Sequence, residues 1–181
     1  MNEKRKTRIS KFLSLVLRHK PETIGLVLDE NGWANAADLI EKSAEAGNRI
    51  AFEELEEVVA TNDKKRFAFD ETKTKIRASQ GHSIAVEIGF AEKTPPPILF
   101  HGTAEKNLAS ILEKGLEKRA RHHVHLSSET ETARSVGRRY GAPVILQIDA
   151  AQMAAQNFKF YVSANGVWLT NAVPPQFLKV L

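Results

Sequence analysis

The chain has 181 residues, 42% hydrophobic and 27% charged, with a formal net charge of +4, the balance of a globular protein able to build its own core. It contains no cysteine, which excludes disulfides, thiolate catalysis and cysteine-ligated zinc. No apolar run approaches the roughly 18 residues of a membrane span, and the first twelve residues lack a secretory stretch, so the expectation is a cytoplasmic protein. Acidic and basic side chains balance over residues 1–91, and residues 92–181 carry the whole positive excess. Two local basic clusters stand out: Lys4, Arg5, Lys6, Arg8 and Lys11, and then Lys64-Lys65-Arg66.

Ile9, Phe12, Leu13, Val16 and Leu17 recur at helical spacing and predict an amphipathic helix over 7–18, stopped by Pro21. Residues 25–29 read as a short strand and 30–32 as a turn. Helices are expected over 35–46 and 52–61, followed by a hairpin of strands 66–70 and 75–78. Helix, short strand, two helices and a hairpin is the order of a winged helix, a common nucleic-acid-binding module. Residues 91–97, with Pro95-Pro96-Pro97, form the best linker. Beyond them the expectation is a strand at 98–101, a helix at 104–115, a strand at 124–126, a helix at 128–140 and a buried strand at 143–148. Short strands near 159–162, 166–169 and 177–180 complete an α+β chain of two domains, 1–91 and 92–181.

The usual dinucleotide fingerprint, the P-loop, the G-x-S-x-G elbow and the H-E-x-x-H pair are all absent. His122-His123-Val124-His125 invites a metal hypothesis, since His123 and His125 would share a strand face. Two ligands without a nearby carboxylate do not close a site, so no metal is expected.

Seven segments resemble, in order, the RNA 2′-phosphotransferase family. They are Leu17-Arg18-His19, Asn62-Asp63-Lys64-Lys65-Arg66-Phe67, Gln80-Gly81-His82-Ser83, His101-Gly102-Thr103, His123-Val124-His125-Leu126-Ser127, Val136-Gly137-Arg138-Arg139 and Asn165-Gly166-Val167-Trp168-Leu169. The resemblance implies a winged-helix RNA-binding lobe joined to an ADP-ribosyltransferase-like NAD-binding lobe. It implies NAD as co-substrate, a 2′-phosphorylated RNA as the partner, and no metal. The RNA 2′-phosphate would attack the nicotinamide ribose, giving a 2′-phospho-ADP-ribosylated RNA. A transesterification would then release 2′-hydroxyl RNA and ADP-ribose 1″,2″-cyclic phosphate.

By the same resemblance, Arg18, His19, Arg66 and Arg139 handle the phosphate. Arginine suits that task because its planar donor fork grips phosphate oxygens at two points and never deprotonates. Arg139 is preferred to Arg138 because the family pattern is Val-Gly-x-Arg. Tyr140 departs from the histidine common after that arginine. His101, Gly102, Thr103, His125, Ser127 and Val167 map to the NAD side, with the Gly102 backbone holding the nicotinamide amide. Protein-modifying relatives place a glutamate where Val167 stands; a phosphate acceptor needs no base to activate it. Taken alone, Arg18 and His19 at a helix end fit a dipole effect, and Thr103 fits a helix N-cap. Gln80–Ser83 fits either an RNA contact or a local turn. The alternatives are an NAD-dependent enzyme that caps terminal phosphates of nucleic acids, and a winged-helix binding protein without catalysis. No membrane or obligate protein partner is expected, and the default state is a monomer.

Overall fold

The computed structural model describes residues 1–62 and 64–181; Asp63, in the Asn62–Phe67 motif, lies outside the described residues. The chain divides into two compact units, Met1–Gly89 and Phe90–Leu181, and each mixes helix with strand.

In the first unit, α1 spans Glu3–Arg18. It begins four residues before the expected start because the Asn2 side chain accepts the Arg5 N–H and caps a charged first turn. Ile9, Leu13, Val16 and Leu17 are its buried stripe. Pro21–Ile24 then forms a single 3₁₀ turn that closes at Gly25, whose φ of +64° suits glycine. The strand expected over 25–29 does not form. The Leu26 N–H bonds back to the Pro21 carbonyl, Val27 is 73% exposed, and the Asp29 carboxylate instead takes the N–H groups of Asn31 and Trp33. The strand is β1, Trp33–Asn35, which begins beyond the expected span.

Helices α2 (Ala36–Glu45) and α3 (Phe52–Ala60) follow, the first capped by the Asn35 side chain. Strands β2 (Phe67–Phe69) and β3 (Lys75–Ala78) form the expected hairpin. β3 is central, in an antiparallel sheet of order β1-β3-β2. The α1 stripe packs with Leu39, Leu55, Val58, Phe67 and Ile76 into one core.

At the rim, Glu54 receives Nε and Nη2 of Arg5, and Arg5 also donates to the Arg49 carbonyl. The guanidinium pulls the Glu54 carboxyl from 4.5 to about 2. The folded chain therefore binds fewer protons than the unfolded chain across that window, and this contribution is lost as pH falls through it. Arg5→Met is expected to raise the pH midpoint of acid unfolding followed by circular dichroism. An unchanged midpoint would show that the pair contributes nothing to acid stability.

The second unit opens with an extended segment in which Glu92 bridges Tyr161 and the Lys93 N–H bonds the Phe160 carbonyl. Strand β4 runs from Ile98 to Ala104, three residues past its expected end, and a 3₁₀ turn precedes α4, Leu108–Lys114. Thr103 is therefore a strand residue and caps no helix. There follow β5 (Leu116–Glu117), β6 (Val124–Leu126), α5 (Thr130–Gly137) and β7 (Pro143–Asp149). Next come α6 (Ala150–Ala155), β8 (Phe160–Val162), β9 (Trp168–Thr170), β10 (Ala172–Val173) and β11 (Leu178–Val180).

Two antiparallel three-stranded sheets, ordered β11-β7-β4 and β6-β9-β8, carry this unit, and β5 pairs with β10. The sheets join where Phe100 and Ser127 exchange backbone hydrogen bonds of 2.8 Å. Leu99, Leu126, Leu146, Ile148, Met153 and Phe160 fill the core. Helix α5 lies directly on β4, and two glycines allow it. A Cβ on Gly102 would stand 1.7 Å from the Ala133 carbonyl oxygen, and one on Gly137 would stand 2.7 Å from that of Thr103. No helix among the described residues is long and apolar enough to cross a membrane.

Candidate phosphate and dinucleotide sites

In the first unit, the end of α1 delivers Arg18 and His19 side by side, both half-buried. Arg18 is fixed on three sides. Its Nη2 donates to the Arg66 carbonyl at 3.2 Å, and its guanidinium lies 5.7 Å from the centre of the Phe67 ring. Gly81 forms the third side, at φ +85°; a Cβ there would sit 3.6 Å from Nη1. The structure thus brings Arg66 to Arg18 through the backbone ahead of β2.

Local geometry explains why Arg66 is delivered there. The Asn62 side chain accepts the Lys64 N–H, and the Lys65 N–H bonds the Asn62 carbonyl. Lys65 takes φ +39°, a left-handed conformation unusual for a residue with a side chain. Ser79 then pins the turn from the far side of the hairpin. Its hydroxyl donates to the Lys65 carbonyl and its N–H to that of Arg66. The Arg66 side chain donates to Asn62 Oδ1 at 3.4 Å.

The segment Gln80–Ser83 is a turn against the end of α1. The Ser83 N–H bonds the Arg18 carbonyl at 2.9 Å, the Ser83 hydroxyl lies 2.9 Å from His19 Nδ1, and His82 is buried. Ser79 and Gly81 have supporting roles that the sequence reading did not assign. The available signal was a glycine flanked by polar residues directly after a strand.

In the second unit, the His101 Nδ1 lies 3.0 Å from the His125 carbonyl oxygen. A carbonyl only accepts, so Nδ1 carries the proton and Nε2 presents its lone pair when the ring is neutral. Burial holds His101 below its ordinary pKa of 6.5, and the positive Arg121 pushes the same way, against the hydrogen bond to His125. Arg121 was not among the expected site residues.

Gly102 follows on β4. Because Phe100 directs its N–H and C=O to Ser127, strand alternation turns the Gly102 peptide groups to that same edge, away from β7. Thr103 is buried and its hydroxyl accepts from Asn107 Nδ2 at 3.4 Å.

On β6, His125 pairs with Leu169 of β9. The Ser127 hydroxyl accepts the Glu129 N–H and donates to the Glu129 carbonyl, which shapes the approach to α5. Val167 is half-buried in the β8–β9 turn, one residue before β9, with its N–H and carbonyl both bonded to Ser163. Extending the β6–β9 register by one residue sets Val167 opposite Ser127. Arg138 and Arg139 are exposed just beyond α5, and the Arg139 N–H bonds the Val136 carbonyl.

His123 precedes β6, and its ring packs between those of Phe90, at 5.8 Å, and Tyr161, at 5.5 Å. It is a packing residue. Among the described residues, no three of His, Asp and Glu gather as a metal-holding group.

Arg18 and His19 at the end of α1, and His101 and Gly102 on β4, are the candidate site residues that the two units position most closely. The family pattern described as "RNA 2'-phosphotransferase, Tpt1 / KptA family" matches residues 4–172. Proteins carrying the name "Probable RNA 2'-phosphotransferase" are similar along nearly their whole length. One from Flavobacterium johnsoniae is 57% identical over 99% of this chain and 98% of its own. One from Fusobacterium nucleatum is 54% identical over 95% and 97%, and one from Trichormus variabilis is 51% identical over 100% of both. The chain belongs to the RNA 2′-phosphotransferase, Tpt1/KptA family.

Proposed function

We propose that this protein removes a 2′-phosphate from RNA by transferring it to NAD. The observation that carries the reading is that the end of α1, the turn before β2 and the segment after β3 are tied together at Arg18, His19 and the Arg66 backbone. Two guanidinium groups and an imidazole suit a phosphate monoester better than any neutral ligand. On this reading the first unit is a winged-helix lobe that takes the RNA, and the second an ADP-ribosyltransferase-like lobe that takes NAD.

The residues of the second unit fit NAD. The His101 Nε2 lone pair suits a ribose hydroxyl, and the outward N–H and C=O of Gly102 match the two faces of a carboxamide. Thr103, His125, Ser127 and Val167 would surround the ribose and nicotinamide. NAD supplies the electrophilic ribose carbon and a leaving group that departs with the electrons of its glycosidic bond.

The chain's own residues do the rest. Arg18 and Arg66 would hold the phosphate oxygens, orient one of them as nucleophile, and then stabilise charge at phosphorus while the ribose 2″-hydroxyl displaces the RNA oxygen; the family resemblance gives Arg139 the same task. That oxygen leaves as an alkoxide and takes up a proton, which His19 would give. Val167 keeps a carboxylate away from an anionic acceptor.

The test is nicotinamide release, followed by chromatography, from NAD mixed with a 2′-phosphorylated RNA or with the same RNA bearing a 2′-hydroxyl. Stoichiometric release is expected only with the phosphate. Equal release from both RNAs would overturn the proposal.

The His101 environment adds a pH prediction. Burial holds its pKa below 6.5, so the neutral ring is favoured to lower pH than in a free imidazole. NAD affinity by calorimetry is expected to fall as pH drops, with a midpoint below 6.5. A decline centred at or above 6.5 would contradict a neutral, buried His101 as the ribose acceptor.

A further inference from the structure

The hydroxyl of Ser83 meets His19 at Nδ1, and the Ser83 N–H is itself tied to the carbonyl of the residue before that histidine. From this we infer that Ser83 is a positioning residue for His19, holding the ring with its proton on Nδ1 so that Nε2 is the atom that exchanges a proton with the substrate. The inference rests on the proposed role of His19 but adds a residue and an atom to it.

The Ser83 hydroxyl is placed at a fixed height above α1, because the backbone bond of 2.9 Å and the side-chain contact of 2.9 Å act on consecutive residues, Arg18 and His19. Gly81 allows this approach. At φ +85° it turns the chain against the Arg18 guanidinium, a conformation residues with a side chain rarely adopt. The same short segment therefore sets the position of the arginine and the rotation of the histidine.

The chemistry favours a hydroxyl at this point. An acid that protonates a departing RNA oxygen starts as a cation with protons on both nitrogens and ends neutral. If Nδ1–H is bonded to Ser83 throughout, the proton that moves comes from Nε2, and the serine partner needs no rearrangement during the step. A carboxylate at position 83 would orient the ring as well, but would place a negative charge beside the incoming phosphate. Serine orients the imidazole without adding charge.

Two measurements on Ser83→Ala and Ser83→Thr decide the matter. In nitrogen-resolved nuclear magnetic resonance of the whole protein, the neutral His19 ring should carry its proton mainly on Nδ1 in the wild type and in Ser83→Thr. It should shift toward the Nε2–H form in Ser83→Ala. In single-turnover assays on isolated 2′-phospho-ADP-ribosylated RNA, Ser83→Ala should slow the second step about tenfold, the low end for a group oriented by a hydrogen bond. The threonine variant should restore the rate, and nicotinamide release in the first step should change by less than about threefold in either variant.

Identical tautomer populations in the wild type and Ser83→Ala would overturn the inference. So would a second step that Ser83→Ala leaves intact. The resonance measurement holds whether or not the RNA is turned over. A wild-type protein that ignores 2′-phosphorylated RNA would therefore sink the proposed function, while the tautomer still decides the role of Ser83.

Discussion

Replacing Gly102 by alanine is expected to lower the melting temperature by several degrees and to abolish the stabilisation expected from the proposed NAD binding. The added Cβ would stand 1.7 Å from the Ala133 carbonyl oxygen, 2.5 Å from its carbon and 3.0 Å from the Gly137 nitrogen. All three are backbone atoms of α5, so no side chain can rotate aside. Either α5 lifts from β4 or the strand bends, and overpacking of this kind costs about 1–3 kcal/mol or more. For a unit of this size each kcal/mol is worth roughly 4–8 °C. The strand edge proposed to meet the carboxamide moves with it, so NAD should no longer raise the melting temperature. Thermal unfolding with and without NAD reads both effects. A variant within about 2 °C of the wild type, still stabilised by NAD, would show that α5 does not sit on β4 as described.

Arg66→Ala should leave the chain folded and lower the rate of 2′-phosphate removal by about 10²–10³. The separation follows from how Arg66 is held. Its backbone carbonyl accepts from Arg18 Nη2 and from the Ser79 N–H, and both bonds survive the substitution. Its side chain makes a 3.4 Å contact with Asn62 and is half-buried. Arg66→Lys should recover only part of the loss, because an ammonium cannot grip two phosphate oxygens with a planar fork. Single-turnover kinetics alongside thermal melts would separate the two readings. A rate within about threefold of the wild type would remove Arg66 from the phosphate, and a parallel collapse of stability would make its role structural.

Much of the fold was legible because its longer elements carry strong local signals. The α1 stripe, the two following helices, the β2–β3 hairpin and β7 all follow from apolar spacing and turn residues. The misses have physical causes. Residues 25–29 have strand-forming side chains, but Gly25 closes a 3₁₀ turn and Leu26 bonds back to Pro21, so no edge is presented to β3. Trp33–Asn35 pairs instead, through contacts distant in sequence. The two-residue strands β5 and β10 exist only by pairing with each other. Helix α6 could have been found: Asp149 caps an alanine-rich run, and its side chain accepts the Gln152 N–H.

The candidate site residues were named chiefly through resemblance, since Arg18 and His19 at a helix end would otherwise fit a dipole effect. What no pattern revealed was the support beneath them. The steric reason for Gly102 lies in Ala133 and Gly137, groups far apart in sequence that the fold brings close, whereas Gly81 is favoured by its own φ of +85°.

The most direct test of the central claim follows a short RNA carrying one internal 2′-phosphate by mass spectrometry, with and without NAD. The predicted result is NAD-dependent loss of one phosphate from the RNA, with ADP-ribose cyclic phosphate appearing in equal amount. An RNA that keeps its phosphate, or that ends as a stable ADP-ribosylated adduct, would contradict it.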